Sequence, residues 1–456
     1  MTTTLALDPE LEKIETPYPR LWRAWWMVAT MFAASIFSVI DRGILSLVVD
    51  PVRHDLGISE VQISLLQGLS FGIFYAIVGI PLGLTADRLS RRKLLIAGIA
   101  IWSLATFCGG LAANFGELFT ARLLVGLGEA ALAPCAVSMI GDMFPPDKRG
   151  RPISIYLLGQ SFAGGLSVML TGKILAAVPA GKFAWIGLLD GLAPWRVAFL
   201  FAGLTGIPVV IMLMTFREPM RRGIVLVADR ASFGTVLRYL GQNRAVFLPL
   251  YAGFAMLVMH VYSVAAWSAT YLMRQFALAP AQVGSWQGTV TMVVGTLGAL
   301  TAGIAVDMVS KRGPTGGKLL FLIASALMMT PSALMSFMPT PMAAIGSLAF
   351  IGFFMPMIGT GMVTTVQEMV PGNMRGVSIS LFGLFNTITG QTLGPFLVAT
   401  IAEDYFGGKT HLGPAMTIVG LPAIFAAALL YFLAFLGYRR LIRRPGEFQQ
   451  IVTARA

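Results

Sequence analysis

The chain has 456 residues, 56% of them hydrophobic and only 12% charged, with 33 Lys and Arg against 21 Asp and Glu. Soluble domains carry about 25% charged residues, so a water-soluble globule is excluded and a chain that crosses a bilayer many times is indicated. The formal charge of +12 is spread over short loops on alternate sides, which argues against a nucleic-acid surface and fits the positive-inside rule.

Residues 1–23 read as a cytoplasmic N-terminal tail, with Asp8, Glu10, Glu12 and Glu15 among its basic groups and no cleavable leader pattern. Twelve apolar stretches follow, near 24–49, 60–86, 92–112, 117–143, 150–178, 195–216, 246–273, 281–307, 318–338, 343–370, 375–402 and 414–438. They divide into an N-terminal six-helix bundle (24–216) and a C-terminal one (246–438), separated by a polar linker (217–245) and followed by a cytoplasmic tail (439–456). The linker carries Arg217, Arg221, Arg222, Arg230, Arg238 and Arg244 among apolar residues and predicts an amphipathic helix on an anionic leaflet. Cys108 and Cys135 both fall in apolar runs and read as small core residues.

With both termini placed inside, 25 Lys and Arg fall on the inner side and six on the outer. Arg42 and Arg122 remain at membrane depth, and the imbalance predicts cytoplasmic termini.

The halves echo each other. Gly83–Arg92 aligns with Gly303–Arg312 at an offset of 220, and Asp142–Gly150 with Glu368–Gly376 at an offset of 226. Gly83, Asp87, Arg88, Arg91 and Arg92 resemble the cytoplasmic loop motif of the major facilitator superfamily, with Thr85 and Ser90 as departures. Positive-inside anchoring accounts for the arginines but leaves Asp87, a carboxylate on the cation-rich side, unexplained. Asp87 is expected to accept hydrogen bonds from these arginines, or to face a helix N-terminus, when the inner side closes. Asp142, Arg149, Asp307, Glu368 and Arg375 belong to the same gate by repetition. The resemblance implies an all-α membrane protein with the major-facilitator fold: 12 transmembrane helices in two pseudo-symmetric bundles. A central cavity would be lined by helices 1, 4, 7 and 10.

The chemistry concentrates in the first and fourth stretches. Asp41 and Arg42 lie inside the first apolar run, while Arg122 and Glu129, seven residues apart, share one face of the fourth. A static network holding two helices together is one reading of these charges. The other is a site that loads and releases a proton: the four cancel formally, and protonating either carboxyl breaks the balance by a full unit. Glu129 has small neighbours (Gly126, Gly128, Ala130, Ala131) that leave room for water or substrate, whereas Asp41 has an arginine beside it and stays ionised more readily.

Ser38–Arg42, Asp55–Ser59, Gly83–Arg92, Ile101–Ser103, Arg122–Ala130 and Ile140–Phe144 together are similar to the Spinster family, particularly a bacterial Spinster homologue. That resemblance implies a transporter of lysophospholipids or sphingoid lipids working by alternating access, with Asp41, Arg42, Arg122 and Glu129 as the proton-coupling cluster. Ser38 stands where animal members commonly have Asn, and Gly159, Gly164 and Gly165 depart from their glycine pattern. Sugar-acid and organic-anion symporters share a similar Asp-Arg first helix and supply the alternative substrate. A substrate sensor or passive channel on the same scaffold is the alternative of another class.

His260, midway along the seventh stretch, is either a cavity residue or a helix–helix contact. No nucleophile–base pair, nucleotide loop or metal-ligand cluster is present in the pattern, so no enzyme activity, metal or cofactor is expected. The expected partners are a small amphiphilic substrate, protons and the bilayer, with the chain acting as a monomer in the bacterial inner membrane.

Overall fold

The structure, a computed structural model, describes residues 18–70, 72, 77–78, 89–145, 148–221, 232–312, 316–407 and 411–442. In the first half these form α1 (Leu21–Gly43), α2 (Val49–Leu56), α3 (Glu60–Ser64) with a wide π turn over Leu65–Leu69, α4 (Arg91–Gly109), α5 (Phe115–Glu129), α6 (Leu132–Met143), α7 (Gly150–Ala177), α8 (Pro194–Leu204) and α9 (Gly206–Met214). A short α10 (Phe233–Gln242) leads into the second half: α11 (Arg244–Phe276), α12 (Pro280–Arg312), α13 (Gly317–Leu327), α14 (Thr330–Ala333), α15 (Pro341–Met369), α16 (Arg375–Asn386), α17 (Leu393–Thr400) and α18 (Leu412–Ile442). Among the described residues ten helical segments are long and apolar enough to cross a membrane. The second expected crossing lies partly outside those residues. The eleventh is the run from α16 through α17, widened by π turns at Thr387–Thr392 and Ile401–Tyr405.

Prolines stand at three internal breaks, although Pro249, Pro356 and Pro422 are carried inside continuous helices. A proline has no N–H for the carbonyl four residues earlier, and its ring clashes with that group. Pro134, Pro208 and Pro331 therefore interrupt the fourth, sixth and ninth crossings near Ala130, Leu204 and Leu327. The first crossing spans Leu21–Ser46, close to the expected run of 24–49: α1 ends at Gly43, a tight turn covers Ile44–Ser46, and α2 begins at Val49.

Both halves bury their own apolar cores. The 226-residue echo is visible in the bonds: Arg149 donates from Nε to the Phe144 carbonyl at 3.0 Å, and Arg375 to the Val370 carbonyl at 3.3 Å. We call the end holding Arg91, Arg149 and Arg375 the basic end. Across the halves α7 meets α12 backbone to backbone: a Cβ on Gly165 would lie 2.2 Å from the Gly288 carbonyl, and one on Gly172 2.5 Å from the Pro280 carbonyl. Gly68 and Gly72 likewise sit against Gln391 and Thr392.

Towards the far end the halves are joined by charge. Arg274 donates to Asp50 at 2.6 Å and to Glu60 at 2.7 Å, and Arg53 reaches the same Glu60 at 2.9 Å. The Val61 N–H donates to Glu403 at 3.1 Å, and Thr270 donates to the Ser46 carbonyl at 3.2 Å. These bonds close the molecule at the end opposite the basic loops.

Candidate functional site: a charged cluster between α1, α4 and α5

One turn of α1 supplies Ser38, Asp41 and Arg42; α4 supplies Thr106; α5 supplies Arg122 and Glu129. Asp41, Arg122 and Glu129 are 2%, 2% and 3% exposed, so all three are out of bulk solvent. Arg122 Nη1 donates to Asp41 Oδ1 at 3.0 Å, and the Thr106 hydroxyl donates to the other Asp41 oxygen. Glu129 Oε2 pairs with Arg42 Nε at 3.3 Å and accepts from the Ser38 hydroxyl at 2.8 Å.

The pairing is crossed: Asp41 is bonded to Arg122 on the facing helix rather than ion-paired to its sequence neighbour. Residues i and i+1 on a helix point about 100° apart and do not face each other. Each therefore looks to α5, where Arg122 and Glu129 lie about 10 Å apart along the axis. Two pairs result, one above the other.

They are not equally complete. Asp41 has bonds on both carboxylate oxygens. Glu129 Oε1 is buried and has no hydrogen-bond partner among the described residues, nor has Arg122 Nε. An acceptor left open in a dry place costs free energy, and a proton on that oxygen would remove the charge that makes it costly. Arg42, with 30% of its side chain exposed, is the member of the cluster nearest to water.

The room expected around Glu129 is absent on one side. A Cβ on Gly128 would lie 2.5 Å from the Gly98 carbonyl, so this glycine lets α4 and α5 touch rather than admitting water. The break after Glu129 arises from Pro134, so Glu129 closes α5 as its last residue.

At the basic end, Gly83, Asp87 and Arg88 lie outside the described residues. Arg91, only 2% exposed, is the centre of what is described there. It forms an ion pair with Asp142 and another with Glu218 at 3.3 Å, and donates to Ser138 Oγ at 2.8 Å and the Pro219 carbonyl at 3.0 Å. Glu218 also accepts from the Arg91 N–H at 2.9 Å and from Ser90, so it is the carboxylate at the N-terminus of α4. Burial pushes the Glu218 carboxyl up, but the bonds from Ser90 and Arg91 outweigh it and hold the group below its ordinary 4.5. Arg92 donates to the Met214 carbonyl at 3.2 Å. In the second half, Glu368 pairs with Lys318, while Asp307 is exposed on α12.

His260 is fully buried. Its Nε2 lies 2.8 Å from Ser332 Oγ on α14, and Gly420 of α18 leaves the space its ring fills. It is thus a contact inside the second bundle, and the cavity position considered for it is corrected. Within the linker the described helix α10 begins at its Ser232 cap, buries Val236 and ties Tyr239 to the Met369 carbonyl at 2.6 Å. Thr106 and Glu218 carry no signal in the sequence pattern that marks them for the cluster and the gate.

The sequence pattern of the Major Facilitator Superfamily matches residues 31–395. An MFS-type efflux pump of Mycolicibacterium smegmatis is 26% identical over 92% of this chain and 94% of its own length. The hexuronate transporter of Bacillus subtilis is 24% identical over 89% and 94%, and spinster homolog 1 of Xenopus tropicalis 25% over 84% and 74%. A crystal structure of a bacterial homologue of the human lysosomal transporter Spinster, inward-facing and unoccupied, superposes with a TM-score of 0.77. It shares 22% identity and covers 94% of this chain and 100% of its own.

Proposed function

The chain belongs to the major facilitator superfamily of secondary transporters, and from that premise we propose that it moves an amphiphilic lipid across the membrane by alternating access, driven by protons. The substrate class is a lysophospholipid or sphingoid lipid and the direction is outward. Glu129 takes up the proton on its open oxygen, which frees Arg42 and Ser38 from its charge. Asp41 stays paired with Arg122 and anchors the cluster. With one carboxyl neutral the four groups no longer balance, so the two bundle arrangements differ in cost and the proton selects between them. The single observation that carries this reading is the pair of crossed bridges, one complete and one with an unpartnered buried oxygen.

The partly exposed side chain of Arg42 favours a second reading, uptake of a small organic anion such as a sugar acid. A hexuronate transporter and galactarate/D-glucarate transporters are among the relatives, at 24% and 26% identity. The protein is an integral membrane protein, and we place it in a bacterial plasma membrane with its basic end and both termini in the cytoplasm. The 25-to-6 division of Lys and Arg supports that orientation.

Reconstitution into liposomes with an imposed pH gradient separates the substrates. The lipid reading expects gradient-dependent movement of a labelled lysophospholipid between leaflets and none of hexuronate. Hexuronate accumulation without lipid movement transfers the assignment to the organic anion. Binding of either without flux would mark a sensor and overturn both.

A further inference from the structure

A groove of about 460 Å³ opens at the basic end, between the start of α1 and the end of α9, lined by Trp22, Trp25, Trp26, Ala29 and Thr215. Its volume is within the range of small-molecule sites, about 300–1,000 Å³. Residues 22, 25, 26 and 29 form one stripe of a helix, so three indoles stand side by side. They are 62%, 39% and 39% exposed, a large aromatic surface with no covering element among the described residues.

Interfacial tryptophans are common in membrane proteins, but these are held. Trp26 Nε1 donates to Thr215 Oγ1 at 2.7 Å, which fixes one wall across two helices. Trp25 meets the Phe144 ring edge-on at 5.4 Å. The Arg23 guanidinium carbon lies 5.4 Å from the centre of the Trp22 ring, so a cation sits at the rim. Above it, the first turn of α1 has no acidic residue, and Arg20, its N-cap, makes no side-chain cap bond. Two exposed arginines, Arg20 and Arg23, give this end of the recess a positive potential. An aromatic trough under a positive rim is complementary to a molecule with an anionic head and an apolar tail.

We propose that this groove binds one anionic phospholipid of the leaflet at the basic end. Its phosphate lies against Arg20 and Arg23, and its acyl chain runs along Trp22, Trp25 and Trp26. The site is separate from the charged cluster and does not depend on the transport reading.

Native mass spectrometry of the full chain in detergent tests it, with added phosphatidylglycerol or phosphatidylcholine of identical acyl chains. The expected result is one retained phosphatidylglycerol, bound at least about fivefold more tightly than phosphatidylcholine. Arg23→Gln weakens that retention about fivefold, and the Trp22→Ala/Trp25→Ala double variant abolishes it. Trp22→Phe, which keeps the apolar wall, guards against a folding artefact and retains the lipid, as does Trp185→Ala, whose indole is exposed in another loop. Equal retention of the two lipids, or phosphatidylglycerol retention unmoved by the groove variants, overturns the proposal. So does a dimer that the groove variants dissolve, since a second copy would then be the occupant.

Discussion

Phe115–Met143 in the first half and Pro341–Met369 in the second are offset by 226 residues at both ends, yet they hold different chemistry. By that offset Arg122 and Glu129 correspond to Leu348 and Met355. The first half keeps two ion pairs in its interior. The corresponding positions of the second are apolar, and its buried histidine is bonded to a serine. The loop bonds of Arg149 and Arg375 repeat while the interiors do not. Duplication therefore preserved these loop bonds, while among the described residues the paired charges at this depth lie in the first half.

The largest effect should come from Arg122→Leu, which strands Asp41 without its partner. Removing one member of a buried ion pair costs about 3–5 kcal/mol, read as a lower melting temperature or loss of folded protein. Adding Asp41→Asn should recover most of it. At the paired position of the second half, Met355→Leu should cost less than about 1.5 kcal/mol. A comparable loss at Met355 would erase the distinction between the lobes.

Arg274→Gln removes a bond set that spans the lobes rather than one inside either. Labelling of a Ser46→Cys reporter, at a position now 7% exposed, should speed up about 5- to 30-fold for a 1–2 kcal/mol shift towards opening. An unchanged rate would mean that the remaining bonds, Val61 to Glu403 and Thr270 to the Ser46 carbonyl, together with the glycine contacts of α7 and α12, hold the far end without Arg274. His260→Asn should cost about 1 kcal/mol for a lost hydrogen bond and leave the pH profile of flux unmoved; a displaced profile would bring the second lobe into the proton chemistry.

The smallest effect concerns Glu218. Its carboxyl titrates lower in the folded protein than its ordinary 4.5, so its stabilisation is complete above that pH and is lost as pH falls through the lower, folded value. Glu218→Gln should remove about 0.2–1 kcal/mol at neutral pH and flatten the acid limb of a stability curve between those values. An unaltered acid limb would show that Asp142, Ser138 and the Pro219 carbonyl hold Arg91 without help from Glu218.

Much of this was legible before any coordinates. Twelve apolar lengths and the basic-loop pattern carry the fold, because a bilayer demands long helices with few charges. The broken helices were not legible: Pro134, Pro208 and Pro331 stand at breaks, whereas Pro249, Pro356 and Pro422 lie inside continuous helices. Asp41, Arg42, Arg122 and Glu129 stand out because ionised groups at that depth are expensive. Their crossed pairing is less visible, because it follows from the 100° turn between adjacent residues and from how α1 faces α5. Thr106 was hidden for another reason: a hydroxyl in an apolar helix has no pattern until the carboxylate it serves is placed beside it. The glycine at 128 misleads, since a small residue permits either water or a closely packed helix, and here Gly98 of α4 fills the space.

The account stands most directly on Glu129→Gln in sealed proteoliposomes, with gradient-driven accumulation and substrate counterflow measured on one preparation. It predicts that accumulation under an imposed pH gradient disappears while counterflow, which needs the lobes to move but no net proton transfer, persists. Full accumulation by that variant would place the proton elsewhere and contradict it.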